Sequence, residues 1–288
     1  MPDKAKQIVK KSAMIGWRGE ETSLGSEMDR TNSLKAKLRN RQLTIGSWIT
    51  LGHSSIAEIM AKAGFDWLTV DMEHSAITIH EAQQLIQVIE LSGCVPLVRV
   101  GTNDANLIKR AMDAGAHGVI VPMINTKEDA DQAVGAVKYP PQGFRGVGLA
   151  RAQSYGANFE GYRKWNETES IVIVQIEHIK AVENLEAILS TKEVDAFIIG
   201  PYDISASLGI AGQFDHPEMT SALNKILDTA RRLEAVAGYH VVPPDAGQVL
   251  EKIKQGYRFL AYSIDFLFLG DSCRNGLKTI RKNSRKGL

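Results

Sequence analysis

Residues 95–122 read VPLVRVGTNDANLIKRAMDAGAHGVIVP, and this stretch has the pattern of a strand, a helix and a second strand. Its ends, Val95–Val100 and Gly118–Pro122, are apolar runs typical of strands that are buried on both faces. Between them, Asp104–Ala114 has the periodicity of a helix that covers a core. Because a connection of this length joins parallel neighbouring strands, the stretch predicts one βαβ unit.

The same alternation of strand and helix runs along most of the chain. Six further β-rich runs are Leu43–Thr50, Trp67–Asp71, Ile171–Glu177, Ala196–Gly200, Gly238–Val242 and Phe259–Tyr262. Six further helical stretches are Ser54–Ala63, Ile79–Leu91, Lys127–Val137, Ala181–Leu189, Glu218–Arg232 and Ala246–Gln255. Eight units in about 250 residues predict an α/β protein with a (β/α)8 TIM barrel. A doubly wound open sheet is the alternative, but Ile49–His53 lacks the Gly-rich turn expected after its first strand.

Composition narrows the class of protein. The chain has 288 residues, a formal net charge of +1, 44% apolar residues and 23% charged residues, as in soluble globular proteins. The balanced charge gives no reason to expect nucleic-acid binding, and no apolar run is long enough to span a membrane. Two cysteines are too few for a disulfide framework, so a cytoplasmic protein is predicted. Residues 1–27 are interpreted as a poorly ordered N-terminal extension, and residues 28–288 as a single barrel domain.

Polar and charged residues concentrate where the predicted strands end. Barrels of this type carry their active site at the C-terminal ends of the strands. The residues at these ends are Asp71, Glu73 and His74, Arg99, Gln175 and Glu177, Asp203, His240, and Asp265. Their convergence on one rim predicts a catalytic site.

Two carboxylates at this rim are candidates for a metal site. Glu177 and Asp203 follow neighbouring strands, and carboxylates with open positions beside them suit Mg²⁺ or Mn²⁺ better than Zn²⁺. A structural interpretation stays open for each: Glu177 could pair with Arg99, and Asp203 could stabilise a Gly-Pro-Tyr-Asp loop through its own backbone.

Three further residues suggest acid–base and oxyanion chemistry. Asp71 lies three residues before His74 and could fix the tautomer of that imidazole, although an isolated histidine is more often structural. Arg99 could stabilise a developing oxyanion or form a salt bridge within the barrel. The Gly-rich segment Pro140–Gly148 could act as a binding loop, with Arg145 holding a substrate carboxylate.

These stretches resemble the HpcH/HpaI family of metal-dependent pyruvate aldolases. The resemblance runs from about Ser33 to about Lys278, with every motif in order. The motifs that carry it are Thr44–Trp48, Gly64–Trp67, Asp71–His74, Val98–Arg99, Val121–Met123, Tyr139–Pro141, Arg145–Gly148, Val174–Glu177 and Ile199–Ser205.

The resemblance implies a role for each residue at the rim. Glu177 and Asp203 match the two metal-ligating carboxylates of the family. Arg99 matches its enolate-stabilising arginine and His74 its catalytic histidine, while Asp71 matches the acid behind that histidine.

Three more positions carry over from the family. Gln175 matches a glutamine near the pyruvyl end of the substrate. Tyr202 replaces the alanine of a prototypical member, and its backbone N–H is the one expected beside the pyruvate carboxylate. Asp104 matches an acid that approaches the histidine across a subunit contact. Members often assemble as a trimer of dimers with a swapped C-terminal helix, so the same homo-oligomer is expected here.

The resemblance therefore implies a class II aldehyde-lyase. It would reversibly cleave a 4-hydroxy-2-oxo acid to pyruvate and an aldehyde through a metal-bound pyruvate enolate, with Mg²⁺ or Mn²⁺, or else Co²⁺, as the cofactor. A Schiff-base mechanism is disfavoured because neither Val174–Glu177 nor Ala196–Asp203 contains a lysine. An acyl-CoA lyase of the citramalyl or malyl type and a non-catalytic metabolite-binding barrel remain as alternatives.

Overall fold

A computed structural model describes residues 33–284, so the predicted extension at residues 1–27 lies outside the described part. The strands are β1 Thr44–Ile49, β2 Trp67–Asp71, β3 Val95–Arg99, β4 Gly118–Val121, β5 Ile171–Ile176, β6 Ala196–Ile199, β7 Ala237–Val241 and β8 Phe259–Ile264. The helices are α1 Leu34–Arg39, α2 Ser54–Lys62, α3 Ile79–Leu91, α4 Ala105–Asp113, α5 Lys127–Val137, α6 Phe159–Glu169, α7 Ile179–Glu183, α8 Leu185–Leu189, α9 Pro201–Ser207, α10 Pro217–Arg232, α11 Ala246–Gln255 and α12 Asp265–Ser284.

The eight strands close into a parallel barrel in the order in which they occur along the chain. β1 pairs in parallel with both β2 and β8, and this second pairing closes the sheet. The predicted TIM barrel is thereby confirmed over the open sheet. No helix among residues 33–284 is both long and apolar enough to cross a membrane.

The alternation along each strand decides which side chains reach the site. On β5, Ile171 and Ile173 belong to the cluster inside the barrel, whereas Val172 and Val174 pack under the surrounding helices. Gln175 is therefore the next inward-facing residue, at the C-terminal end of the strand. By the same alternation, Arg99 faces inward on β3, two residues after the inward-facing Leu97. Apolar packing thus fills the lower barrel, and polar side chains occupy its upper end.

The opposite end of the barrel holds two buried lysines. The Nζ of Lys35 lies 2.8 Å from Asp195 and 3.2 Å from Glu193, and the Nζ of Lys138 lies 3.3 Å from Glu193. Asp195 immediately precedes β6, so this ion-pair cluster lies at the N-terminal ends of the strands. Both lysines have structural partners and are remote from the rim.

Three features differ from the sequence expectation. Asp203 lies in the first turn of α9 rather than in a loop, because Pro201 starts a helix at a position where its missing N–H costs nothing. The stretch Ala181–Leu189 forms two short helices that meet at Asn184. α6 was not predicted, since its buried residues are few and the helix begins on a side-chain cap from Asn158.

Candidate active site

Arg99 is held as a fixed donor at the mouth of the barrel. It lies opposite Asp71 in the β2–β3 register, and its Nε and Nη2 donate to Oδ1 and Oδ2 of Asp71 at 2.9 and 2.6 Å. Its Nη1 is 3.2 Å from the Oε2 of Glu73, and its guanidinium carbon lies 4.3 Å from the ring centroid of Trp48. Bidentate pairing and stacking leave the guanidinium little freedom, so its orientation is set before any ligand binds.

Asp71 serves Arg99 rather than His74, and the expectation that it stands behind the histidine is wrong. Its Oδ1 also accepts the backbone N–H groups of Glu73 and His74, at 3.0 and 3.3 Å. Burial raises the pKa of the Asp71 carboxyl, but the hydrogen bond and charge of Arg99 and these two N–H donors together hold the pKa below its usual value. Asp71 is therefore an anion that positions the guanidinium.

The carboxylate beside His74 is instead that of Glu73. Its Oε2 lies 3.7 Å from Nε2 of His74, whose side chain is 71% exposed at the rim. Burial raises the pKa of Glu73, and the nearby charges of Glu177 and Asp71 raise it further, against the opposing effect of Arg99 and His74. Glu73 thus lies between the buried guanidinium and a solvent-accessible imidazole, and its Oε2 makes no hydrogen bond to the described residues.

Glu177 and Asp203 face one another across the backbone of Gly200. A Cβ atom at Gly200 would lie 3.2 Å from Oε2 of Glu177 and 3.3 Å from Oδ2 of Asp203, so both oxygens surround one point. Glu177 is buried, and it accepts hydrogen bonds from the Met123 N–H at 2.6 Å and from Nε2 of Gln175 at 2.5 Å. A side chain at position 200 would fill the space between the carboxylates.

This carboxylate pair fits a divalent cation. Burial raises the pKa of Glu177, and the negative charge of Asp203 raises it further, so a bound cation would relieve both effects. The charge of Arg99 lowers the pKa of Glu177, but the ion-pair partners of Arg99 are Asp71 and Glu73. Within residues 33–284 no cluster of three or more acidic, His or Cys ligands exists, so protein would supply two oxygen ligands and leave positions for substrate and water.

Arg99, Gln175 and Asp203 line one cavity. Its volume is about 560 Å³, and its wall includes Trp48, Arg99, Gln175, Ile198, Gly200, Tyr202, Asp203, Phe214, His240 and Val242. Oε1 of Gln175 is buried without a hydrogen-bond partner in the described part of the chain. Tyr202 is 60% exposed and meets Phe214 edge-on, with ring centroids 6.3 Å apart. The predicted substrate-binding residues therefore share a cavity with Asp203, one of the two predicted metal ligands.

Asp104 and Arg145 lie away from this cavity and have partners elsewhere. Asp104 is exposed and caps α4, accepting the N–H groups of Asn106 and Leu107 at 2.9 Å each. Its contact across a subunit boundary stays a prediction. Arg145 is 2% exposed and donates to Asp113 at 2.5 Å, so the expectation that it holds a substrate carboxylate is wrong.

The sequence analysis gave no individual role to two residues of the cavity wall. Trp48 lies under Arg99, and its role depends on a contact between strands that no local pattern indicates. His240 was placed at a strand end without a role, and it faces inward at the upper end of β7. The alternation along the strand was the available signal, because His240 must face the same side as Gly238.

Comparisons with known proteins agree with this geometry. Residues 44–270 match the HpcH/HpaI aldolase/citrate lyase family. A hydroxypyruvate/pyruvate aldolase of Roseobacter denitrificans is 35% identical over 83% of this chain and 93% of its own length. A 2-keto-3-deoxy-L-rhamnonate aldolase of Escherichia coli is 35% identical over 84% of this chain and 90% of its own. A crystal structure of a Burkholderia cenocepacia protein of the same family superposes with a TM-score of 0.82 and 34% identity, covering 87% of this chain and 100% of that one.

Proposed function

The chain belongs to the HpcH/HpaI aldolase/citrate lyase family and is a carbon–carbon lyase, and on that premise we propose that it reversibly cleaves a 4-hydroxy-2-oxo acid to pyruvate and an aldehyde with a divalent metal ion. The observation that carries this proposal is the placement of the fixed Arg99 guanidinium in the same cavity as Gln175 and the Asp203 carboxylate that faces Glu177.

The difficult part of this reaction is the negative charge that collects on the former keto oxygen of pyruvate. Arg99 supplies fixed N–H donors for that charge, because Asp71 and Trp48 hold its guanidinium before the reaction begins. Preorganised donors of this kind need no reorganisation as the charge develops. The geometry therefore favours the enolate over the ground-state keto acid.

Glu177 and Asp203 would hold the metal ion. Such an ion acts as a Lewis acid toward a bound 2-oxo acid. Carboxylate oxygens favour Mg²⁺ or Mn²⁺, with Co²⁺ as a further candidate. Gln175 fixes Glu177 from the side of the barrel, and its own unpaired Oε1 faces no described donor.

The proton of the 4-hydroxyl group needs an acceptor that communicates with water. His74 is exposed at the rim, and Glu73 links it to Arg99 through contacts of 3.7 and 3.2 Å. We assign the proton transfer to His74 and the support of its imidazole to Glu73. Asp71 acts indirectly, by holding the guanidinium of Arg99 in place.

Replacing His74 with alanine should lower the rate of aldol cleavage by about 10² or more, because the acceptor of the hydroxyl proton is lost. Mn²⁺ binding, followed by electron paramagnetic resonance, should stay unchanged, since His74 is not one of the proposed ligands. His80→Ala, at another exposed histidine, is the control. Full cleavage activity in His74→Ala would remove His74 from the mechanism.

The relatives point to the kind of acid that is cleaved. Their names describe aldolases acting on hydroxypyruvate or pyruvate and on a 2-keto-3-deoxy sugar acid. We therefore assign this chain a small 2-oxo acid and a small aldehyde as substrates, with the backbone N–H of Tyr202 beside the carboxylate. An acyl-CoA lyase and a non-catalytic barrel are both disfavoured by these relatives.

The direct test is a coupled assay for released pyruvate with a panel of 4-hydroxy-2-oxo acids. Cleavage with Mg²⁺ or Mn²⁺ that stops with EDTA would support the proposal. Failure of all of these acids to react would contradict the assignment of the substrate.

The last helix supports a homo-oligomer, for which we propose the trimer of dimers with α12 exchanged between protomers. Along α12, four apolar side chains at helical spacing are 45–64% exposed: Phe266, Leu269, Leu277 and Ile280. Apolar surface of this kind is normally covered. The exchanged helix would carry this stripe onto a neighbouring barrel.

Sedimentation velocity should accordingly find a hexamer. The double change Leu277→Lys and Ile280→Lys should shift the protein to smaller species, because two charges would have to be buried in the contact. Asn275→Lys, on the opposite face of the same helix, should leave the assembly intact. A monomer in the unaltered protein would contradict the proposed assembly.

A further inference from the structure

His240 occupies an inward-facing position of the barrel that the proposed mechanism does not use. It lines the same cavity as Arg99 and Gln175, and its ring centroid lies 5.4 Å from that of Trp48. Trp48 in turn lies against the guanidinium of Arg99. The imidazole is therefore adjacent to the group that binds the reacting oxygen, but it faces the cavity from β7, across from the rim residues of β2.

The hydrogen bond of His240 fixes which nitrogen carries its proton. Nε2 lies 3.3 Å from the backbone carbonyl oxygen of Ser263, which can only accept, so Nε2 must be the donor. Burial, and the positive charge of Arg99 next, lower the pKa of His240 to about 4, so the ring is neutral at pH 7. A neutral imidazole with its proton on Nε2 has a free lone pair on Nδ1.

That lone pair has no donor within residues 33–284. The indole N–H of Trp48 is buried nearby and makes no hydrogen bond. Nδ1 of His240, in contrast, is not a buried atom without a partner. Nδ1 is thus an acceptor that a molecule in the cavity can use. The positive charge of Arg99 would repel a cationic donor near Nδ1, so a neutral hydroxyl group fits best.

The shape of the cavity indicates which part of a substrate arrives there. Pyruvate would occupy the side formed by Arg99, Gln175 and the two carboxylates. A volume of about 560 Å³ is in the range that accepts larger ligands. The remaining wall beyond β6 and β7 contains the apolar residues Ile198, Val242 and Phe214 together with Tyr239, Gln248 and Lys252. The aldehyde portion of the substrate therefore lies on the His240 side, between mainly apolar walls.

From this geometry we infer that His240 is a specificity-determining residue, which accepts a hydrogen bond from a hydroxyl group on the aldehyde portion of the substrate. The inference rests on the proposed aldolase function and deepens it: the enzyme selects hydroxyaldehydes over aldehydes of the same size without a hydroxyl. A buried acceptor left without its donor disfavours the wrong substrate, which is how polar sites discriminate.

The test compares two aldehydes of similar size, glycolaldehyde and propionaldehyde, in aldol addition to pyruvate with Mg²⁺ or Mn²⁺. The unaltered enzyme should have the higher kcat/KM with glycolaldehyde. His240→Leu should reduce the ratio of the two kcat/KM values by about 10- to 100-fold, mainly by lowering the value for glycolaldehyde. His240→Asn, which keeps an acceptor at the δ position, should retain more of the preference than His240→Leu.

His80→Leu, at an exposed histidine of α3, serves as the matched control, and thermal unfolding checks that each variant is folded. An unchanged ratio in His240→Leu, an equal loss for both aldehydes, or no preference in the unaltered enzyme would overturn the role of His240. Exchange of pyruvate methyl protons in the unaltered enzyme distinguishes failure of the His240 role from failure of the aldolase function. If exchange occurs, such a result counts against His240 alone; if exchange is absent with every ion, the proposed aldolase function falls and this inference falls with it.

Discussion

Glu177→Gln should abolish metal-dependent turnover, with a loss of about 10³-fold or more in kcat/KM. The change keeps the size of the side chain and an oxygen that can accept the Met123 N–H, so the barrel should stay folded. It removes one of the two negative charges around Gly200, and with it much of the attraction for a divalent ion. A metal ion contributes several kcal/mol to such a reaction, and 1.36 kcal/mol is tenfold in rate.

The measurement for this variant is kcat/KM at saturating Mg²⁺ together with Mn²⁺ affinity by electron paramagnetic resonance. Asp203→Asn should behave in the same way. Glu58→Gln, at an exposed carboxylate far from the rim, should match the unaltered enzyme. Turnover and Mn²⁺ affinity that both survive in Glu177→Gln would sink the assignment of Glu177 as a ligand.

Arg99→Lys should lower kcat by about 10²–10³-fold while the protein still binds Mn²⁺. Lysine keeps the positive charge but cannot reproduce the two-pronged contact with Asp71 or the stacking on Trp48. Its ammonium would be free to settle on Asp71 or Glu73 instead of facing the keto oxygen. The expected size is that of losing one preorganised donor to a developing oxyanion.

For this change Arg110→Lys, on the exposed side of α4, is the matched control. Asp71→Asn tests the same contact from the other side. It should lower the rate of turnover by releasing Arg99, although Asp71 touches no substrate. An Arg99→Lys variant with normal kcat would mean that the guanidinium is only a barrel salt bridge, the structural alternative raised by the sequence.

The fold could be predicted from the sequence because each buried strand is an apolar run, and the ends of the run lie close to the ends of the strand. The predicted Trp67–Asp71 coincides with β2, and the other predicted strands differ from the observed ones by one or two residues at an end. A fully buried strand leaves little choice of secondary structure. α9 was missed because its seven residues carry no clear apolar period, and the signal was Pro201 at its first position.

The site could be predicted as a set of residues but not as a set of contacts. Asp71 and His74 are three residues apart, so local spacing suggested a pair. The actual partner of Asp71 is Arg99, 28 residues away, and that pairing depends on the register between β2 and β3. Register between neighbouring strands is a property of the closed sheet.

Burial decides the remaining differences. Arg145 has the composition of a binding loop around it, yet packing against Tyr162 and Asp113 takes its guanidinium out of reach of any ligand. His240 shows the reverse case. An isolated histidine is more often structural, but in the closed barrel the ring of His240 lines the cavity.

The most direct test of this account is the exchange of pyruvate methyl protons for deuterium, followed by NMR with Mg²⁺ or Mn²⁺ and again with EDTA. It needs no choice of aldehyde and reports only whether the enzyme forms the enolate of pyruvate. We expect exchange with either ion that stops when EDTA is added. Absence of exchange with both ions, or exchange that EDTA does not affect, would contradict a metal-dependent pyruvate aldolase.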